Sequence, residues 1–366
     1  MKRKISLLKN KIALYNPYLN TLGGGERHIL SILQALEEVG ADITIFWDKD
    51  LKKDIKKNLG LQFRRLNFAP NVFKKSTFDR TKALSQFSTL IYVTDGSYFF
   101  SPCEKNYIFC MVPNPALYKM SLMNKLKTKN YSFITNSFYT QKWLEKWGIQ
   151  SQVIYPYIDD DFMKIDVASL KKESIILSVG RFFPHLHSKR QDILIETFLK
   201  AKATHPLFAD FKLILAGGLM DSDKEYFNSL KKLAGDDKSI VFYPNIDYSR
   251  LLTLYKKSSI FWHGAGYEID ENQHPEQVEH LGITPLEAMS AGCITFCYQA
   301  GGPKEIISDG MNGFLFDTRD GLIAKTVTIL KNTGFQKMIQ LTAKDFVETN
   351  FSFDAFKEQV YKVFQI

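Results

Sequence analysis

Short apolar runs alternate along this chain with longer stretches in which apolar residues recur every three or four positions. The runs at residues 11–15, 43–47, 90–93, 107–111, 133–135 and 152–155 have the length and β-branched or aromatic content of buried strands. Between the first two, a loop bearing Gly23, Gly24 and Gly25 leads into a helical pattern over residues 26–39. A fresh series opens at residues 174–179, passes through a helical pattern over residues 191–204, and continues with strands at residues 211–216, 240–242, 260–262 and 294–296. Strand and amphipathic helix in alternation predict parallel sheets covered by helices. Residues 159–172, which begin Asp159-Asp160-Asp161, read as the linker between the two series. Each half is then a Rossmann-like α/β domain whose ligands bind beyond the carboxyl ends of its strands. Residues 352–364 form a last amphipathic helix, and no internal repeat or low-complexity tract interrupts the pattern.

At 366 residues the chain suits two domains of roughly 100–200 residues each. A hydrophobic content of 45% fills two cores and excludes wholesale disorder. No apolar run reaches the roughly 18 residues that a membrane span requires. The N-terminus, Met1-Lys2-Arg3-Lys4 and onward, is basic but lacks the apolar stretch of a signal peptide. Cys103, Cys110, Cys293 and Cys297 show neither metal-ligand nor disulfide-framework spacing, and read as buried free thiols of a cytoplasmic protein.

Charge changes the picture. Of 48 Lys+Arg and 39 Asp+Glu, residues 1–165 hold 25 and 14, a surplus of +11, and the remainder holds 23 and 25, a balance of −2. The basic stripes are Lys52-Lys53 with Lys56-Lys57, Arg64-Arg65, Lys74-Lys75, and residues 119–129, where Met and Leu interleave with the lysines and Tyr131 and Phe133 follow. Such a face suits an anionic membrane surface or an acidic lipid-linked acceptor, or is simply a solvated helical face. No zinc finger, RNP-like motif or helix-turn-helix spacing points to nucleic acid.

The densest chemistry lies in Glu279-His280-Leu281-Gly282-Ile283-Thr284-Pro285-Leu286-Glu287. Pro285 suits a first helical turn, and the backbone N–H groups from Gly282 to Leu286 would face an anion at the positive end of that helix. Glu279 sits before this anion site and Glu287 one turn inside the helix, so one carboxylate can reach a sugar and the other a ribose. A plain capped helix with two surface glutamates is the competing reading, because Thr284 and Glu287 also have capping-box spacing. Gly180-Arg181 follows directly on a strand, with Lys189 before the next helix. These two cations can clamp a diphosphate, Arg as a planar fork and Lys as a point charge. At the start of the first helix, Gly23 to Gly25 would let backbone N–H groups approach a phosphate. A dinucleotide site with Asp48 as the ribose acid is the alternative there, but His28 takes the place of the third glycine in that motif. His185, His187, His263, His274 and His280 fall near the proposed site without the helical spacing of metal ligands, so no metal is expected.

Glu279 and Glu287, with seven residues between them, resemble the E-x7-E motif of retaining GT-B glycosyltransferases of family 4. The segment from Gly180-Arg181 to Lys189 resembles the same family, with Arg190 where it often has Gly. So do Thr135-Asn136-Ser137, Tyr155-Pro156-Tyr157-Ile158-Asp159, Gly301-Gly302-Pro303-Lys304-Glu305 and Asp309-Gly310-Met311-Asn312-Gly313. The resemblance spans nearly the whole chain. It implies a GT-B fold, two Rossmann-like domains facing each other across a cleft that closes to expel water. Residues 1–165 would take the acceptor, residues 166–345 the nucleotide-sugar donor, and residues 346–366 would cross back to the first domain.

By the same resemblance Glu279, Arg181 and Lys189 are the catalytic candidates. Gly24, Gly25, Gly180, Gly282, Ile283, Thr284 and Glu287 are donor-binding, and His280, Met111 and Asn136 are candidate sugar or acceptor contacts. Met111 stands where many family members carry a His, and Met can neither donate to a sugar hydroxyl nor relay a proton. The implied activity is transfer of a sugar from a UDP- or GDP-linked donor, with no cofactor and no metal, to a glycan or lipid-linked acceptor. The implied setting is bacterial cell-surface polysaccharide assembly, in the cytoplasm or at the inner face of the plasma membrane. A non-catalytic subunit that binds nucleotide-sugar or a partner protein, or a sugar-nucleotide epimerase, are the alternatives.

Overall fold

The computed structural model describes residues 11–186 and 188–366, so the basic N-terminal stretch and His187 lie outside the described residues. The described chain forms two α/β units. The first comprises residues 11–156 and 356–366, and the second Tyr157–Ala355.

The first unit holds seven parallel strands: β1 (Lys11–Tyr15), β2 (Asp42–Phe46), β3 (Leu66–Ala69), β4 (Thr89–Val93), β5 (Lys105–Cys110), β6 (Tyr131–Thr135) and β7 (Ser151–Val153). Their order, β3-β2-β1-β4-β5-β6-β7, is doubly wound about β1. β4, buried at every position, and Leu14, Ile43 and Phe109 make up the middle of the sheet. The helix Gly24–Glu38 buries its apolar face from Ile29 to Leu36. Asp48, just beyond β2, accepts the Asn71 N–H at 2.8 Å and so serves the loop after β3. The helix Phe353–Phe364 ends in this unit: Gln359 accepts the Tyr155 N–H at 2.8 Å, and Phe364 packs on Tyr107 with ring centroids 4.3 Å apart.

The second unit has six parallel strands: β8 (Glu173–Val179), β9 (Lys212–Gly217), β10 (Ile240–Pro244), β11 (Ser258–His263), β12 (Ile294–Tyr298) and β13 (Phe314–Phe316). The order β10-β9-β8-β11-β12-β13 puts β8 beside β11, with the loops after both at the carboxyl edge of the sheet. Trp262, Phe198, Phe208 and Phe296, none with any exposed surface, lie in its core. Residues 159–172 are more ordered than a linker reading suggests, since they carry the one-turn helix Asp160–Met163. All four cysteines are buried free thiols. Among the described residues no helix is long and apolar enough to cross a membrane.

Candidate active site

The site grows from the adjacency of β8 and β11. β8 ends at Val179 and its loop delivers Lys189. β11 ends at His263, and the acidic loop after it returns to Glu279. Lys189 Nζ contacts Glu279 Oε2 directly, and His263 Nε2 lies 2.9 Å from the same oxygen. The carboxylate can only accept, so His263 donates from Nε2, and its Nδ1 has no hydrogen-bond partner among the described residues. Oε2 is thus doubly engaged, and no described residue bonds to Oε1. The Glu279 and Lys189 side chains are 15% and 17% exposed, and His263 is fully buried.

Electrostatics follow from that packing. Burial opposes charge on Glu279, but the Lys189 ammonium and the His263 hydrogen bond overcome it and hold the carboxyl well below the usual range. Burial pushes His263 below its ordinary value against the pull of Glu279, so its imidazole is neutral near pH 7. The result is a fixed carboxylate whose second oxygen takes no hydrogen bond from a described residue.

Two glycines make room for it. A Cβ on Gly180 would fall 2.4 Å from Lys189 Cγ, so the lysine stem lies where a side chain would otherwise be. Gly301, at φ +66°, approaches so closely that a Cβ would fall 2.1 Å from the Glu279 carbonyl oxygen. The next residue, Gly302, donates its N–H to that oxygen at 2.7 Å. The acidic loop is tied to the same turn: Glu271 accepts the Gly301 N–H at 2.7 Å and pairs with Lys304.

The helix after Glu279 runs Ile283–Ser290, capped by Gly282 at φ +109°. The motif predicts a free Leu286 N–H. The structure corrects this, since that group bonds to the Gly282 carbonyl at 3.2 Å, and the orphan donors of the first turn are those of Ile283 and Thr284. Thr284 is therefore not the cap. Glu287 accepts from the buried Tyr255 hydroxyl at 2.7 Å.

The remaining predicted residues divide. Arg181 follows β8 as expected, but its guanidinium lies 4.0 Å from the Phe183 ring and pairs with no carboxylate among the described residues. Arg190 occupies the left-handed region at φ +51°, which explains the glycine the motif favours there. It forks onto Asp192 and donates to the Tyr267 carbonyl at 2.7 Å. His280 is held by a 3.2 Å hydrogen bond to the Glu276 carbonyl. Gly24, Gly25, Met111 and Asn136 belong to the first unit. There Met111 sits directly against Gly25, whose added Cβ would meet Met111 Sδ at 2.5 Å. Asn136 accepts from Thr140 Oγ1 at 2.9 Å beside the cap of the helix Phe138–Lys146. No cluster of three or more His, Cys, Asp or Glu able to hold a metal ion occurs among the described residues. Sequence reasoning missed the pairing role of His263 and missed Tyr255 altogether. A histidine closing the apolar run Ile260-Phe261-Trp262 was the one available signal.

A family model described as glycosyl transferases group 1 matches residues 159–346, more than half of the chain and the whole of this site. The chain belongs to this family. Among relatives of this group 1 glycosyltransferase is the GDP-Man:Man(3)GlcNAc(2)-PP-Dol alpha-1,2-mannosyltransferase of Xenopus laevis, 25% identical over 90% of this chain and 82% of that protein. The human protein of the same name is 24% identical over 93% and 84%. The fold matches Anabaena Alr3699/HepE, solved in complex with UDP and glucose, at a TM-score of 0.70 and 17% identity over 97% of this chain and 99% of that one. It also matches WaaG, a glycosyltransferase involved in lipopolysaccharide biosynthesis, at 0.63 and 13% over 96% and 99%. The architecture is GT-B, and the group 1 glycosyltransferase reading of the motifs is borne out.

Proposed function

We propose that this glycosyltransferase moves mannose from GDP-mannose to a hydroxyl of a lipid-linked glycan, with retention of configuration and without a metal ion. The observation that carries the reading is the Glu279 carboxylate, held on one oxygen by Lys189 and His263 and open on the other, directly before a helix N-terminus. The names of the mannosyltransferase relatives favour a guanine nucleotide and an acceptor on a lipid pyrophosphate.

The Ile283 and Thr284 N–H groups and Lys189 hold the donor diphosphate, and Arg181 swings from Phe183 to join them. Glu279 Oε1 accepts from a sugar hydroxyl, and Glu287, oriented by Tyr255, accepts from the ribose. As the bond from the anomeric carbon to the diphosphate oxygen breaks, the acceptor hydroxyl attacks that carbon from the same face. Its proton passes to the departing diphosphate. The growing negative charge meets cations already in place, which costs no reorganisation at the moment of reaction. The first unit takes the acceptor at the cytoplasmic side of a membrane, where its basic surplus favours an anionic lipid face. A bacterial cell-surface glycan is the setting we infer from the family.

Transfer of labelled mannose from GDP-mannose to a lipid-pyrophosphate-linked saccharide tests the reading. Arg181→Ala and Lys189→Ala should each cut the rate about 100-fold. Unchanged rates in both variants would overturn the site. Donor turnover without acceptor would instead mark an epimerase, and binding without transfer a non-catalytic subunit.

A further inference from the structure

The helix Leu122–Lys127 of the first unit does not behave as a crossover helix should. It connects β5 to β6, yet it buries no residue, whereas the helix Gly24–Glu38 in the same unit buries most of one face. Leu122 is 89% exposed, and Met123 and Leu126 are 55% exposed. Positions 122 and 126, and 123 and 126, fall on one helical face, so the three side chains form a single apolar ridge. The ridge is fixed rather than frayed. Ser121 caps the helix, accepting the Asn124 N–H at 3.2 Å, and the turn before it is anchored by the buried Tyr118, whose hydroxyl donates to the Val112 carbonyl at 3.0 Å.

The chain around the ridge is uniformly cationic. From Lys105 to Leu144 there is no Asp or Glu, while Lys105, Lys119, Lys125, Lys127, Lys129 and Lys142 all fall in that span. Three exposed apolar side chains set among lysines match the interfacial helix of a protein that lies on an anionic bilayer, with ammonium groups at the phosphates and the ridge among the acyl chains. An acidic protein groove would also answer the charge. The lipid surface is favoured over such a groove because it is where a lipid-linked acceptor resides.

We propose that Leu122, Met123 and Leu126 insert into the anionic leaflet that carries the acceptor, with the neighbouring lysines bound to its headgroups. This inference rests on the lipid-linked acceptor reading. The test is co-sedimentation of the full chain with vesicles of phosphatidylcholine and phosphatidylglycerol at 3:1, against vesicles of phosphatidylcholine alone. The wild type should bind the anionic vesicles at least tenfold more tightly. A Leu122→Glu/Leu126→Glu variant should lose at least tenfold of that binding, with the melting temperature and far-UV circular dichroism of the wild type as evidence of an intact fold. Equal binding by variant and wild type would overturn the proposal, as would no binding of the wild type to either vesicle, which would leave a protein partner for the ridge. Vesicle binding that depends on the ridge, in a chain that transfers sugar only to a soluble acceptor, would sustain the anchor and refute the acceptor reading instead.

Discussion

Glu279→Gln removes one charge from the site and almost no volume. In the wild type, Lys189 is in contact with a carboxylate that is only 15% exposed. Two unit charges about 3 Å apart at an effective dielectric near 20 attract by roughly 5 kcal/mol, most of it offset by the cost of removing both from water. A net stabilisation of about 1–3 kcal/mol is the reasonable remainder. The amide releases Lys189 from that competition and removes a negative charge close to where a diphosphate binds. GDP binding should therefore tighten, by about threefold to tenfold. Transfer should fall by about 10- to 100-fold, because the sugar hydroxyl exchanges a charged acceptor for a neutral one. Lys189→Ala, which breaks the same ion pair from the other side, should weaken GDP binding and slow transfer together. Opposite signs in the two variants separate a shared structural collapse from distinct roles. Calorimetric titration with GDP and initial rates of GDP release give both quantities. If Glu279→Gln weakens GDP binding as much as Lys189→Ala does, the division of roles between the two residues is wrong.

Three further outcomes follow from the geometry. Gly301→Ala forces a Cβ against the Glu279 carbonyl in a left-handed backbone, so it should cost about 2–4 kcal/mol and displace the carboxylate enough to cut transfer about 100-fold. Wild-type melting temperature and rate would show that the turn yields freely. Tyr255→Phe removes a 2.7 Å hydrogen bond to Glu287 and should raise the donor KM severalfold with kcat little changed, whereas a fall in kcat alone would place Glu287 away from the ribose. His28, buried edge-on to Phe109, is pushed down by burial from 6.5 to about 3. The unfolded chain thus takes up the proton first, so this stability is complete above pH 6.5 and drains away as pH falls toward 3. Between pH 7 and pH 5 the loss is about 2 kcal/mol. Urea unfolding should show that loss in the wild type and not in His28→Leu, and identical pH dependence in the two would remove His28 as the cause.

Much of this molecule is legible in its sequence because a buried parallel strand writes a continuous apolar run. Of the thirteen strands among the described residues, eleven are visible that way. The two that are not, β3 and β13, lie at sheet edges. β3 is Leu-Asn-Phe-Ala, with a polar residue in its middle, and β13 is only Phe-Leu-Phe inside a segment otherwise read as a loop landmark. The helix Thr333–Phe351 also escaped, its modest apolar face being spread over 19 residues. In the site, the spacing of Glu279 and Glu287 is local and therefore readable. The grip of Lys189 and His263 on one carboxylate oxygen is not. It depends on β8 pairing with β11, which brings together residues 90 and 16 positions from Glu279. Arg190 shows the reverse case: the sequence marked it as a departure from a glycine, and only its φ of +51° says why a glycine belongs there.

The most direct test of the donor site is calorimetric titration of the wild-type chain and of Lys189→Ala with GDP, UDP and ADP. The account predicts that GDP binds the wild type selectively and that the variant loses most of that affinity. Failure of all three nucleotides to bind, or binding of GDP that is indifferent to Lys189, would contradict a nucleotide-sugar site built on Glu279, Lys189 and the helix Ile283–Ser290.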